Sequence, residues 1–183
     1  MPHEPDPAAG GRTVPDPGFA GDDGSAPADL TAALAAYAAD PRRTLEVFWA
    51  LQRARLLVPV VAVLGEVEVD AAARAHDKTS DMPVSSEVEM ATALLTGRDG
   101  RQALLAFTGL DTLAAWRPDA RPVPVAAPLA ARSALQEGAA ALVVDVAGPT
   151  TYAVEGPLLE GLARGWTLTA GADGPVWVRP LAE

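Results

Sequence analysis

The sequence predicts an α/β domain, with α+β as the alternative, built on a mixed sheet of about five to seven strands covered by short helices. Three observations carry this expectation. Apolar runs of strand length, such as "LLVPVVAVL" at 56–64 and "ALVVDV" at 141–146, alternate with stretches of helical spacing. Glycine and proline punctuate the junctions. In the final third the order strand, proline, short helix, glycine, strand occurs twice.

Met1 to Pro27 is mostly Pro, Gly, Asp and Ala. With so little to bury it cannot offset the entropy of ordering, so a disordered tail is expected there and a single domain over 28–183. Asp29 opens "LTAALAAYAA", and Asp40-Pro41 restarts the chain with an N-capping residue and a proline at the first helical position. Two helices in succession follow. The second places Leu45, Phe48 and Trp49 at helical spacing with Val47 and Leu51 flanking, a broad apolar face suited to a sheet.

The run from Leu56 has the valine content of a buried strand, and Pro59 puts an edge or a bulge within it. "GEVEVD" then alternates, so that Glu66, Glu68 and Asp70 share one strand face, and Glu87 and Glu89 repeat the pattern. Carboxylates two apart hold divalent cations or work as acid and base, but a solvated strand face gives the same spacing. The stretch "AAARAHDKTSDMPVSS" between them reads as a polar loop. Met90–Leu95 and Gln102–Phe107 form two strands joined by "TGRDGR", where Gly97 and Gly100 supply the positive φ of a tight turn. "TGLD" after Phe107 fits a capping box: Thr108 accepts from the Asp111 amide, and the Asp111 carboxylate reaches back. Leu110, Leu113 and Ala114 then face the core, and Pro118 stops the helix.

In the final third, Pro128 and Pro157 stand at the first turns of two helices and Gly138 and Gly165 just past their ends. Two short crossovers between parallel strands are expected. "GPVWVRPLAE" adds an edge strand, and its Trp177 is a candidate interface residue.

Composition narrows the function. A formal charge of −10, with 24 acidic residues against 14 basic ones, disfavours nucleic acid as a partner, because phosphate binding needs a basic face. The absence of cysteine excludes disulfides, thiolate metal sites and cysteine nucleophiles. The start lacks the basic and apolar regions of a signal peptide, and the longest apolar run, Leu56 to Gly65, is about half a membrane span. A soluble cytoplasmic protein without membrane contact is expected. A hydrolase would need His76 and Asp77 with Ser80, Ser85 or Ser86, but no Gly-x-Ser-x-Gly turn exists. No catalytic residue, metal site or cofactor is assigned. The best binding candidate is the strand-to-helix junction at Thr108 and Gly109, flanked by Trp116, Arg117 and Arg121.

From about Leu45 to Ala163 the chain resembles the SseB family of bacterial, especially actinobacterial, proteins. The resemblance rests on the helix with Phe48 and Trp49, on "LLVPV", "KTSDM" and "LLTGRDGRQALLAFTGLDTLAAW", and on "DARPVPV" leading to the helix before "ALVVDVAGP". It implies an α/β domain whose function is poorly defined and which has no agreed catalytic motif. The expected function is a non-catalytic binding or regulatory module acting on a protein or a small ligand. The alternative is a metal-dependent enzyme using Glu66, Glu68, Glu87 and Glu89.

Overall fold

The computed structural model describes residues 18–19, 21–64, 88–172 and 174–179. The acidic residues Glu66, Glu68, Asp70 and Glu87, and the loop at 71–86 with His76, lie outside the described residues. Helix α1 (Ala28–Ala39) buries Leu30 and Leu34, one turn apart, and the Asp29 carboxylate accepts from the Leu30 amide at 2.9 Å. Asp40 accepts from Arg42 N at 3.1 Å and starts a 3-10 turn at Pro41–Arg43, which feeds α2 (Thr44–Leu51). As the spacing predicts, Val47, Phe48 and Leu51 are fully buried, with Leu45 and Trp49 packed beside them.

Strand β1 (Arg55–Leu64) lies between β2 (Val88–Thr92) and β5 (Arg121–Ala126), antiparallel to both. A second sheet runs in the order β3 (Leu94–Thr96), β4 (Gln102–Ala106), β6 (Ala141–Val144), β7 (Tyr152–Glu155), with β4 and β6 parallel. The expected single mixed sheet is therefore divided in two. The halves meet where Leu57 and Phe107 exchange backbone hydrogen bonds of 2.8 Å each. Ala93, between β2 and β3, spans the same seam by donating to Pro59 O and accepting from Leu105 N.

Alternation along these strands places side chains in two layers. Leu56, Val58, Leu104, Ala106, Leu142 and Val144 face α1, α2, α4 (Ala127–Gln136) and α5 (Gly156–Ala163). Leu57, Leu105 and Phe107 face the other way, with Leu113 and Trp116 of α3 (Leu110–Trp116). Burial on both faces explains why the strands read as unbroken apolar runs.

Proline accounts for the departures from expectation. Pro59 is on no edge, since β1 has neighbours on both sides. Its nitrogen points the same way as that of Leu57 two residues earlier, toward the seam where the neighbour changes from Phe107 to β2, so the missing N–H falls in a gap of the ladder. In β5, Pro122 and Pro124 lie opposite Pro59 and Leu57, positions that bond away from β5, so their own nitrogens face outward. No further strand can pair there. Accordingly β6 does not join β5 after α4, and the chain adds it beside β4 instead.

The second expected crossover also fails to make a parallel pair, because β8 (Thr167–Gly171) pairs with β9 (Gly174–Val178). The amide side chain of Gln52 takes the place of a strand neighbour for β8: Oε1 accepts from Leu168 N at 2.9 Å and Nε2 donates to Leu168 O at 3.1 Å. The helix ends behave as expected, with proline in the first turn of α4 and α5 and left-handed Gly138 and Gly165 just beyond them. Trp177 is not a free edge residue. Its ring packs on Phe48 at 5.7 Å between centroids and fills the space over Gly161 that a side chain there would need.

The β3–β4 hairpin forms as expected, pairing Leu94 with Leu104 and Thr96 with Gln102. Of its two glycines only Gly100 has positive φ, at 78°. Gly97 is the first residue of the turn, accepting from Gly100 N at 3.0 Å, a position that needs no left-handed backbone. Gly100→Val is therefore expected to cost about 1–2 kcal/mol, measured by chemical denaturation. Gly97→Ala should cost clearly less, since its backbone needs no left-handed φ and an added Cβ is crowded only by Oδ1 of the exposed Asp99 side chain; equal losses would contradict this turn geometry.

Candidate functional site

Because β4 and β6 are parallel, their carboxyl ends lie side by side, and the residues that follow, Phe107-Thr108 and Asp145, are neighbours. Asp145 N donates to Ala106 O at 3.0 Å. The Asp145 side chain turns toward the start of α3 and is only 3% exposed. Its Oδ1 accepts from Thr108 N at 2.9 Å and from Thr112 Oγ1 at 2.6 Å, and its Oδ2 accepts from Thr108 Oγ1 at 2.7 Å. The Asp145 carbonyl in turn accepts from Gly148 N and Thr151 Oγ1, shaping the loop beyond β6. Asp145 has φ 55°, left-handed backbone that Asp adopts more readily than most residues.

This overturns the capping box. The Thr108 hydroxyl is a donor to Asp145, and the N-cap of α3 is Gly109, with no side-chain cap. A buried carboxylate outcompetes the local cap because a charge-assisted hydrogen bond away from water is stronger than one from a hydroxyl oxygen to an exposed amide. Leu110, expected in the core, is 42% exposed, while Leu113 is buried.

A cleft of about 790 Å³ opens at this strand end. One wall is the face of α1 with Thr31, Leu34, Ala35 and Ala38, another is 108–112, and Pro149 and Thr150 close a third side. The remaining wall comes from within the tail expected over Met1–Pro27. Residues 1–17 lie outside the described residues, but Asp23, Gly24, Ser25 and Ala26 line the cleft, with Gly24 buried in left-handed backbone. Arg55, with a side chain 10% exposed, holds this segment: its Nε lies 2.6 Å from Asp22 Oδ2, its Nη2 donates to Asp22 Oδ1 and to Ser25 O, and its Nη1 donates to Thr108 O at 2.8 Å.

Of the residues the sequence singled out, Thr108 and Gly109 line the cleft, and Trp116, Arg117 and Arg121 do not. Trp116 packs on Phe107 at 5.5 Å, Arg117 stacks on Trp116 with its guanidinium 5.0 Å from the ring centroid, and Arg121 begins β5 opposite Val60. The residues that sequence reasoning missed are Asp145, Thr112, Arg55 and Asp22. Only Asp145 left a signal, as a lone carboxylate directly after the apolar run "ALVV". Of the acidic ladder, Glu89 alone is described, in β2 opposite Val63, and among the described residues no group of three or more His, Asp or Glu is placed to hold a metal ion. No helix among them is long and apolar enough to cross a membrane.

Helices on both faces of a partly parallel sheet, with a cleft at the carboxyl ends of the parallel strands, define an α/β protein. The chain belongs to the SseB family: the model of the SseB protein N-terminal domain matches residues 30–161, from α1 into α5. No curated protein and no solved structure matches it.

The network and a cap differ in what they predict for a carboxylate at position 108. Thr108→Ala should cost about 1–2 kcal/mol through the lost buried hydrogen bond. Thr108→Asp, neutral for a cap, should cost about 3 kcal/mol or more by burying a second carboxylate against the first. Denaturation midpoints check both, and a neutral Thr108→Asp would restore the cap.

Proposed function

We propose that this protein is a non-catalytic binding module whose strand-end cleft takes a small ligand with an apolar body and a cationic, hydrogen-bond-donating head. The observation that carries this reading is the character of the lining. Leu34, Ala35, Ala38, Leu110 and Pro149 supply an apolar surface, Asp23, Asp111 and Asp145 supply carboxylates, and no lysine, arginine or histidine among the described residues lines the cleft. Asp145 is buried with three hydrogen bonds but has no cationic partner among the described residues, and buried charges are ordinarily paired.

An anionic ligand fits poorly. The first amide of α3, Leu110 N, is taken by Gly24 O at 2.9 Å, and Thr108 N just before the helix is taken by Asp145 Oδ1. Arg117 and Arg55 are turned to structure, Arg117 on Trp116 and Arg55 on Asp22. Complementarity of charge then selects a cation.

Benzylamine and benzoate, both a phenyl ring with one small head group and of opposite charge, test the reading on the intact chain. Saturating benzylamine should raise Tm by roughly 5 °C or more, as expected for a ligand that binds only the folded state, and benzoate should not. Asp111→Asn should weaken benzylamine about threefold, the scale of one exposed charge pair. Equal shifts from both compounds, or none from benzylamine, would remove the cationic ligand.

A further inference from the structure

We propose that residues 21–27 form a strap that opens and closes the cleft, with Arg55 as its catch and Gly109 as its seat, a regulation that rests on reading the cleft as a ligand site. The strap supplies a whole wall: Asp23, Gly24, Ser25 and Ala26 all line the cleft. A ligand held between this wall and α1 loses one of its walls when the strap moves. The strap lies before the 30–161 stretch that the family model matches.

The attachment of the strap is polar and local. Arg55 grips the Asp22 carboxylate and the Ser25 carbonyl, and Gly24 O accepts from Leu110 N. Apolar packing adds little, since from 21 to 26 only Gly24 is buried. Behind the strap an open hollow of about 180 Å³ lies between Phe19 on one side and Leu57, Leu110, Pro122 and Pro124 on the other. A segment with few buried apolar contacts opens at much lower free energy than the core strands, which is the property a gate requires.

Two glycines show that the seat is fitted to the strap. Gly109 has φ −153°, extended backbone that any residue adopts, so its own conformation does not call for glycine. A Cβ there would stand 2.9 Å from Ala26 N and 3.2 Å from Gly24 O, so it is the strap's backbone that excludes a side chain. Gly24 has φ 76° and a Cβ on it would strike Leu110, so it is constrained both by conformation and by contact. Arg55 joins strap to site through one guanidinium, because the Nη1 that does not hold Asp22 donates to the carbonyl of Thr108, whose amide and hydroxyl hold Asp145. A change at the Asp145 end of the cleft therefore reaches the catch through a single residue.

Two full-length variants release the strap by different routes. Asp22→Ala removes the catch without touching the cleft lining, and Gly109→Ala blocks the seat. Hydrogen exchange reads strap opening at the Leu110 amide, and stopped-flow reads benzylamine dissociation. Both variants should exchange Leu110 about tenfold faster while the amides of β4 and β6 stay unchanged, as for a local opening, and Asp22→Ala should release benzylamine about tenfold faster. Unchanged Leu110 exchange in both variants overturns the strap. So does faster exchange combined with benzylamine dissociation within twofold of the wild type, because the strap would then gate nothing. Failure of benzylamine to bind the wild-type chain removes the ligand class instead, and the strap is then decided by the exchange at Leu110 alone.

Discussion

The carboxylate of Asp145 ties the end of β4, the first turn of α3 and the end of β6 into one unit. Each of its bonds crosses between elements far apart in sequence, from 145 to 108 and from 145 to 112. Burying a carboxylate is unfavourable by several kcal/mol unless its lone pairs are filled, and three short charge-assisted hydrogen bonds fill most of them. The left-handed backbone of Asp145, a strain on the order of 1 kcal/mol, is tolerated because those bonds fix where the side chain must point. The direction of α3, the loop from 146 to 151 and the floor of the cleft all follow from this one group.

Sheet edges set the rest of the layout. Pro122 and Pro124 close the outer side of β5, and β6 lies in the other sheet, parallel to β4. That parallel pair is what brings two carboxyl ends together at the cleft. At the other end, the Gln52 side chain satisfies the backbone of Leu168 and docks the β8–β9 hairpin without extending a sheet. Trp177 then lies over Phe48 and Gly161, sealing the helical layer that also carries α1 and hence one wall of the cleft.

Much of the fold was legible in the sequence because local signals and burial agreed. The spacing of Val47, Phe48 and Leu51, the prolines and glycines bounding α4 and α5, and the hairpin turn at Gly100 each act within a few residues. Pairing between distant strands was not legible, because it depends on which side of a strand a proline's missing N–H faces, and that is fixed only by register. The site was half legible. Thr108 and Gly109 were found from the strand-to-helix junction, but Thr108 was assigned to the nearest amide, since a partner 37 residues away leaves no local mark. Arg55 and Asp22 were missed for the same reason, their contact bridging 33 residues from a segment whose composition reads as tail.

The central claim is that Thr108 and Thr112 serve one carboxylate, and a double-mutant cycle of Thr108→Val and Thr112→Val on folding stability measures it most directly. Removing the first hydroxyl leaves Asp145 with two donors, while removing both leaves it only the Thr108 amide. The expected result is a coupling of about 1 kcal/mol between the two substitutions, typical of residues in one buried network. Losses that add within about 0.3 kcal/mol, as for independent sites, would contradict the claim.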